Sequence, residues 1–154
     1  HQSARSGLTE VRRALNSLRA SPLEDLGLAL AISDLAESVA ARTDLRLVLE
    51  VADHIENIPL EVEQCMYRVA QEALENVARH AKATRLHVSL TRPNGHLILN
   101  IEDNGQGFNR EKVDPTRYGL KGLRERAEMI GGMIDIQTKI HHGTTVQLVI
   151  PLVE

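Results

Sequence analysis

Aromatic residues are nearly absent from this 154-residue chain, which has one Phe, two Tyr and no Trp. Any hydrophobic core must therefore be built from aliphatic side chains. The same shortage argues against a platform of exposed rings that stacks the bases of single-stranded nucleic acid. The formal net charge of −3 also argues against nonspecific nucleic-acid binding, which depends on a basic surface. We therefore expect no direct contact with nucleic acid.

Cysteine and long apolar runs are equally scarce. Cys65 is the only cysteine, so no internal disulfide can form, and its apolar neighbours predict a packing role. No apolar run approaches the roughly 18 residues of a membrane span, and no signal peptide is recognisable. We expect a cytosolic domain without membrane contact of its own. If the parent protein is membrane-bound, that part lies outside this sequence.

The remaining composition, 42% hydrophobic and 25% charged, is typical of a globular domain, and the length favours a single core. Apolar stripes at helical spacing predict helices at about 8–19, 28–39, 60–81 and 120–130. Ser21-Pro22 should end the first of these helices, and Gly131-Gly132 the last.

Alternating apolar residues predict five strands, at about 45–51, 86–90, 97–103, 133–138 and 144–151. Asn94-Gly95 is typical of a hairpin turn between the second and third strands. Hairpins interrupted by helices predict an α/β (α+β) two-layer sandwich. Its mixed, mostly antiparallel sheet of about five strands should be covered on one face by helices.

Asp103 is the most informative residue, because strand alternation places it on the same face as three aliphatic residues. A carboxylate there is costly unless something pairs with it. Gly105 and Gly107 follow at once and allow another molecule to approach the backbone. In one interpretation Asp103 caps a turn together with Asn104. In the other it accepts a hydrogen bond from a ligand amino group, and an adenine amino group is suitable.

Glu72, Asn76 and His80 follow one another at i, i+4 and i+8 in the predicted helix 60–81, near Arg79 and Lys82. An ordinary solvated helix face has a similar composition. The same residues suit a hydrated Mg²⁺, which takes oxygen ligands and shares its shell with substrate phosphates. In this interpretation Asn76 binds the metal, Glu72 holds a water, and the three basic residues lie near phosphate.

Glycines also open the predicted helix at 120–130, as Gly119-Leu120-Lys121-Gly122. Backbone amides at a helix start favour phosphate, and the helix dipole helps them. The phosphate loop of P-loop ATPases does not occur, and the dinucleotide fingerprint does not follow a strand as it must. The polar stretch 109–118 suits a short lid over a nucleotide or an ordinary surface loop.

Taken together, these segments resemble the GHKL ATP-binding superfamily of gyrase, Hsp90, histidine kinases and MutL. Its N box is similar to residues 71–81 (QEALENVARHA), and its three glycine boxes are similar to 103–108 (DNGQGF), 119–127 (GLKGLRERA) and 143–146 (GTTV). The residues within these boxes are most similar to those of the nitrate-sensor and DesK-type branch of bacterial sensor histidine kinases. In that branch the junction before the catalytic domain resembles 23–28 (LEDLGL).

The resemblance implies a Bergerat fold with ATP and Mg²⁺ as ligands. Asp103 would bind the adenine amino group with support from Thr144, Asn76 would hold Mg²⁺, and Glu72 would be the catalytic residue that orients phosphoryl transfer. The remaining residues expected at the nucleotide come from the same boxes: Arg79, His80, Lys82, Gly105, Gly107, Phe108, Gly119, Leu120, Lys121 and Gly122.

The sequence departs from the branch pattern in two places. His141 replaces a glycine often found before Gly143, which should change the turn rather than the site, and His141-His142 should be exposed rather than bind metal. None of the seven histidines precedes Asp or Glu, as the phosphoacceptor of that branch does. The resemblance thus implies that 1–22 is the tail of the second dimerisation helix with a linker, and 23–154 the catalytic domain. Its partners would be an absent dimerisation domain with the acceptor histidine, and a response regulator.

Two alternatives remain open. One is a stand-alone kinase of this superfamily, such as an anti-sigma factor that phosphorylates serine. The other is a module that binds nucleotide or a partner without transferring phosphate. The predicted helix at 8–19 argues against the first, and the intact Glu72, Asn76 and Asp103 argue against the second.

Overall fold

A computed structural model describes residues 26–52, 55–109 and 121–152. In this part of the chain the helices are α1 (Leu28–Thr43), α2 (Leu60–Asn76) and α3 (Lys121–Met129), and the strands are β1 (Arg46–Val51), β2 (Arg85–Thr91), β3 (His96–Asp103), β4 (Met133–Lys139) and β5 (Gly143–Pro151). The five predicted strands and the last three predicted helices are confirmed. The predicted helix at 8–19, its end at Ser21-Pro22 and nearly all of the predicted lid lie outside the described residues.

The strands of the described chain form one sheet in the order β1-β2-β3-β5-β4. β1 pairs with β2 in parallel, and the other three pairings are antiparallel, as the mixed sheet was predicted to be. On β3, the residues Leu97, Leu99 and Ile101 are all buried, and they pair in register with three buried aliphatic residues of β5. This face of the sheet carries the core.

The opposite face of the sheet is polar at its centre. There the side-chain amide of Gln147 on β5 donates a hydrogen bond of 3.0 Å to Oδ1 of Asn100 on β3. Glu102, the next residue of β3 on this face, is exposed. The contrast between the two faces follows from strand alternation and agrees with a sheet that helices cover on one side.

Helix α2 is the element that links the core to the site. Its predicted stripe of Val62, Met66, Val69 and Ala73 is buried against the sheet and the neighbouring helices. Each fully buried Val or Met side chain contributes about 1.5–3 kcal/mol relative to exposure. Cys65 is buried beside this stripe, which confirms its packing role, and burial raises the pKa of its thiol.

The regular part of α2 ends earlier than the sequence predicts. The α-helix stops at Asn76, and Val77–Ala81 continue it as one π-helical turn, after which Lys82 takes a left-handed conformation with φ 49°. A π turn contains more residues per turn than an α-helix, so His80 does not extend the i, i+4 row of Glu72 and Asn76. Such turns are frequent at functional sites.

Left-handed residues form the remaining turns where the sequence places them. Asn94 and Gly95, with φ of 53° and 77°, form the β2–β3 turn, as a two-residue hairpin requires. Gly131, with φ 81°, ends α3, and the N–H of Gly132 donates to the carbonyl of Ala127 at 2.7 Å. His141 adopts φ 69° in the β4–β5 turn, a conformation that is easier for the glycine it replaces.

We predict that Gly143→Ala unfolds far more easily than wild type, while Gly131→Ala is a mild change. Both glycines have positive φ, but a Cβ at Gly143 would lie 2.0 Å from the carbonyl oxygen of Asp103, whereas a Cβ at Gly131 meets no atom within 4 Å. We expect about 1–2 kcal/mol of destabilisation for Gly131→Ala from backbone strain and more than about 3 kcal/mol for Gly143→Ala. Urea titration measures both, and equal losses would contradict the close packing of Gly143 on Asp103.

Candidate nucleotide site

Asp103 is the last residue of β3, and its side chain lies on the core face with only 6% of its surface exposed. Its Oδ1 accepts a hydrogen bond of 2.8 Å from the backbone N–H of Gly105. Burial raises the pKa of Asp103, while hydrogen bonds from the backbone of Gly105 and Thr144 act in the opposite direction. An ionised carboxylate has about four acceptor positions, so two backbone donors leave room for a ligand donor. The turn and ligand interpretations are therefore compatible.

Asn104, which the turn interpretation joined to Asp103, has a different task. Its Oδ1 accepts hydrogen bonds from the backbone N–H groups of Thr84 at 2.9 Å and Arg85 at 2.8 Å. Its Nδ2 donates to the Thr84 hydroxyl at 2.9 Å. Asn104 thus fastens the loop after β3 to the start of β2.

The next residues of the loop pack against the π-helical end of α2. A Cβ at Gly105 would lie 2.1 Å from the carbonyl oxygen of Ala81, so only glycine fits there. The backbone N–H of Gln106 donates to that same oxygen at 2.7 Å, and its side-chain amide donates to the carbonyl of His80. The carbonyl groups at the end of α2 are thereby satisfied by the loop that follows Asp103.

The same loop also contacts the β4–β5 hairpin. A Cβ at Gly107, where φ is 59°, would lie 2.1 Å from the carbonyl oxygen of Lys139. The carbonyl of Gln106 accepts a hydrogen bond of 2.7 Å from the N–H of His141. His141 therefore holds the loop through its backbone, and the side chains of both His141 and His142 are exposed, as predicted.

A pair of threonine hydroxyls lies beside Asp103. The Oγ1 atoms of Thr138 and Thr144 are 2.9 Å apart, and Thr138 Oγ1 also accepts a hydrogen bond of 3.0 Å from the N–H of Phe108. Thr144 pairs in register with Asp103, so the two side chains share one face of the sheet. The prediction that groups Asp103, Thr144, Gly105, Gly107 and Phe108 at one location agrees with this geometry.

The basic residues at the end of α2 are not gathered in one place. Arg79 lies 3.6 Å from Glu75, which also pairs with Arg42 of α1 at 3.0 Å, so Arg79 is engaged on the side of α1. The side chain of Lys82 is exposed, and that of His80 is partly buried.

A cleft of about 300 Å³ lies between α2 and α3 and is lined by Arg68, Glu72, Gly122, Leu123 and Arg126. It brings together Glu72 and Gly122, two residues predicted for the phosphate end of the site. Exposed Lys121 immediately precedes Gly122, whereas Gly119 and Leu120 lie outside the described residues. Sequence reasoning missed Arg68 and Arg126. The available signal was that Arg68 precedes Glu72 by four residues, which is one helical turn.

The oxygen donors of the site can be compared with those that a magnesium ion needs. Among the described residues, no group of three or more His, Cys, Asp or Glu side chains could hold a metal ion. Mg²⁺ commonly takes one or two protein oxygens and completes its shell with waters and substrate phosphates. Asn76 is partly exposed at the last regular turn of α2 and offers such an oxygen. The residues present therefore fit magnesium bound together with a nucleotide.

Comparison with known families identifies the class of this domain. Residues 61–154 match the family described as histidine kinase-, DNA gyrase B-, and HSP90-like ATPase, and the chain belongs to that family. Membership makes ATP the ligand of the domain and confirms the resemblance on which the site predictions depend. No helix of the described part is long and apolar enough to cross a membrane.

Individual relatives are bacterial sensor proteins. The chain is 34% identical over 148 residues to the signal transduction histidine-protein kinase/phosphatase DegS of Brevibacillus brevis, which covers 96% of this chain and 38% of that protein. It is 35% identical over 143 residues to the sensor protein VraS of Staphylococcus aureus, covering 93% of this chain and 41% of that protein. The chain thus spans about two fifths of the length of these relatives.

Solved structures support the fold. The histidine kinase domain of the blue-light activated histidine kinase EL346 from Erythrobacter litoralis superposes with a TM-score of 0.67 at 18% identity, covering 81% of this chain and 61% of that one. The histidine kinase AdeS of Acinetobacter baumannii gives a TM-score of 0.60 at 17% identity, covering 99% of this chain and 84% of that one. The predicted two-layer α/β architecture is confirmed.

The buried carboxylate gives a pH-dependent stability with a defined sign. Because burial raises the pKa of folded Asp103 above its value of 3.8, the folded state binds more protons than the unfolded state around that pKa. The contribution of Asp103 to the free energy of unfolding is therefore full below pH 3.8 and decreases as pH rises through the folded pKa. We predict that Asp103→Asn removes this pH dependence. As pH rises from 3.8 through the folded pKa of Asp103, the free energy of unfolding of the variant should therefore increase relative to that of wild type. Urea unfolding between pH 3.5 and 7 measures the free energy of unfolding of both proteins. A value for the variant minus that for wild type that falls or stays constant as pH rises would contradict the assignment.

Proposed function

We propose that this domain binds Mg²⁺ and ATP and serves as the catalytic part of a sensor histidine kinase. In the complete protein the terminal phosphoryl group passes to a histidine of the dimerisation domain, and from there to an aspartate of a response regulator. In the first step the bond between the γ-phosphorus and the bridging oxygen breaks, a bond from phosphorus to an imidazole nitrogen forms, and ADP leaves. The kinases among the relatives support this assignment.

The single observation that carries the proposal is the buried carboxylate of Asp103. Its surroundings are shaped by backbone at Gly105 and Gly143, and it keeps acceptor capacity on the core face of the sheet. A purine amino group satisfies that acceptor. A base without this donor would leave a buried carboxylate underpaired, which is why such a site rejects analogues strongly. Thr144 and the hydroxyl of Thr138 would support the base from the neighbouring strands.

The phosphate end of the proposed site lies along α2. Asn76 would hold Mg²⁺, which supplies charge stabilisation for the transferring phosphoryl group when bound. Glu72, which lines the cleft between α2 and α3, would orient the transfer, and Lys121 and Gly122 would contact phosphate from the opposite side. His80, Lys82 and Arg79 remain candidates for phosphate contacts, and Arg79 would have to leave its exposed contact of 3.6 Å with Glu75 to make one.

The wider setting follows from the resemblance and the relatives. We assign residues 1–22 to the tail of the second dimerisation helix and its linker, and 23–154 to the catalytic domain. The DesK-type branch, the cytosolic location and the response regulator belong to the same proposal. The second candidate function is that of a stand-alone kinase of the superfamily that phosphorylates serine. The similarity to DegS, which extends over 96% of this chain, favours the sensor histidine kinase.

We predict that Asp103→Asn weakens ATP binding by about 10- to 100-fold while the domain stays folded. The amide presents an N–H₂ group or a neutral oxygen where an ionised acceptor is needed, and hydrogen bonds to charged groups are worth about 1.5–3 kcal/mol. Isothermal calorimetry with ATP and Mg²⁺ measures the affinity, and circular dichroism measures the fold.

Glu102→Gln is the matched control for this measurement. It neutralises the adjacent carboxylate of the same strand, but that residue is exposed on the polar face of the sheet. Its ATP affinity should stay within about twofold of wild type, since surface substitutions away from the site have small effects. Equal affinities for wild type, Asp103→Asn and Glu102→Gln would refute the adenine assignment.

Phosphoryl transfer can be tested by supplying the acceptor separately. We predict that labelled phosphate from ATP reaches the histidine of an added dimerisation fragment of the parent kinase, and that Asn76→Ala or Glu72→Gln reduces this transfer by at least about 100-fold. ATP binding without any transfer by wild type would favour a binding module, and transfer to serine instead of histidine would favour the stand-alone kinase.

A further inference from the structure

The cleft between α2 and α3 holds two arginines that were not among the residues expected at the nucleotide. Arg68 and Arg126 line it together with Glu72. Within residues 26–52, 55–109 and 121–152, none of these three side chains makes a hydrogen bond or an ion pair with another residue. Two guanidinium groups and one carboxylate therefore face a shared space with a net positive charge.

Unpaired arginines in a cleft are suited to an anion. The planar guanidinium presents a fork of N–H donors that matches the oxygens of a phosphate, and such contacts are often bidentate. Two like charges that lie close together raise the local concentration of anions around them, even where the side chains are exposed as Arg68 and Arg126 are. A small dianionic group with three free oxygens can accept from both arginines at once.

The position of the cleft along α2 indicates which part of a nucleotide it takes. The far end of the helix, at Ala81, contacts the loop that carries Asp103. At 1.5 Å per residue, Glu72 lies about 6 Å and Arg68 about 12 Å before Asn76 along the regular part of α2. A ligand with its base at Asp103 and its metal at Asn76 therefore directs its terminal phosphate towards Glu72 and the cleft.

The side chain of Arg126 approaches the same place from α3. Helical side chains tilt towards the start of their own helix, which for α3 is the end at Lys121 and Gly122. The other candidate arginine, Arg79, lies 3.6 Å from Glu75 and does not line the cleft. Arg68 and Arg126 are thus the two arginines available to a terminal phosphate in the described part of the chain.

We propose that Arg68 and Arg126 bind the γ-phosphoryl group of ATP and thereby allow the domain to distinguish ATP from ADP. This inference rests on the proposed ATP-binding function and adds two residues to its phosphate end. Glu72 lies between the two arginines and the metal position. The arginines neutralise charge on the group that transfers.

Calorimetry of the chain with ATP and with ADP, each in excess Mg²⁺, tests the assignment. We expect Arg68→Gln and Arg126→Gln each to weaken ATP binding by about tenfold, the loss expected for one charge-assisted contact, and to change ADP affinity by less than about twofold. Lysine at either position should recover part of the ATP affinity, because it keeps the charge and loses the fork.

Arg124→Gln is the control, since it removes the same charge from the same helix. Two residues from Arg126, it is turned about 200° around the helix and does not line the cleft. Its ratio of ATP to ADP affinity should equal that of wild type. Thermal unfolding of each variant establishes that it is folded. If a glutamine variant does not fold, the lysine variant at the same position replaces it in the comparison of ATP and ADP affinities.

The outcomes separate this inference from the function on which it rests. If wild type binds neither nucleotide, the ATP-binding proposal itself fails. If wild type binds both and the glutamine variants keep the wild-type ratio of ATP to ADP affinity, only the assignment of Arg68 and Arg126 is overturned. A selective loss of ATP affinity in both variants, absent in Arg124→Gln, supports it.

Discussion

The burial of one carboxylate at the end of a central strand is the constraint on which this domain depends. Asp103 sits on the face of the sheet that carries the aliphatic core, where an unsatisfied charge costs several kcal/mol. Two backbone donors, from Gly105 and Thr144, reduce that cost without eliminating it, since the pKa of Asp103 stays raised. The fold therefore retains a polar group that it does not need for its own stability. In the proposed complex, a ligand that donates to this carboxylate would recover part of that free energy.

The loop after Asp103 holds this site together because it contacts two distant parts of the chain. On one side it closes on Ala81 at the end of α2, and on the other it closes on Lys139 in the β4–β5 hairpin. Glycine is needed at both approaches, since a Cβ would lie about 2 Å from a carbonyl oxygen at each. The base and phosphate ends of the site are thus fixed to one another through backbone. A bound nucleotide would bridge elements that the loop already joins.

Much of this architecture was accessible from the sequence, for identifiable physical reasons. Periodic burial predicted α1, α2 and all five strands, because these elements bury one face only. Asp103 was conspicuous because it breaks that pattern. The π turn at Val77–Ala81 was not predicted, since it depends on the loop that hydrogen-bonds to its carbonyls.

Contacts between elements were the other part that the sequence did not reveal. The charge pattern and the resemblance both placed Arg79 with the phosphate residues, but neither revealed that it lies 3.6 Å from Glu75, which α1 also contacts through Arg42. Nor could Arg68 and Arg126 be assigned to one cleft before the packing of α3 against α2 was known. Asn104 was similarly predicted to cap a turn together with Asp103, but its side chain hydrogen-bonds to the backbone at the start of β2. Local sequence patterns predict which side of a helix or strand is buried. Which residues on that side then interact with one another is decided by how the elements pack.

The central claim is that the purine of a bound nucleotide meets Asp103. A crystal structure of this chain with a non-hydrolysable ATP analogue and Mg²⁺ tests it most directly. The account predicts an adenine amino nitrogen about 2.7–3.2 Å from a carboxylate oxygen of Asp103, with the triphosphate running along α2 towards Glu72. An adenine bound elsewhere, with the Asp103 carboxylate facing only protein and solvent, would contradict it.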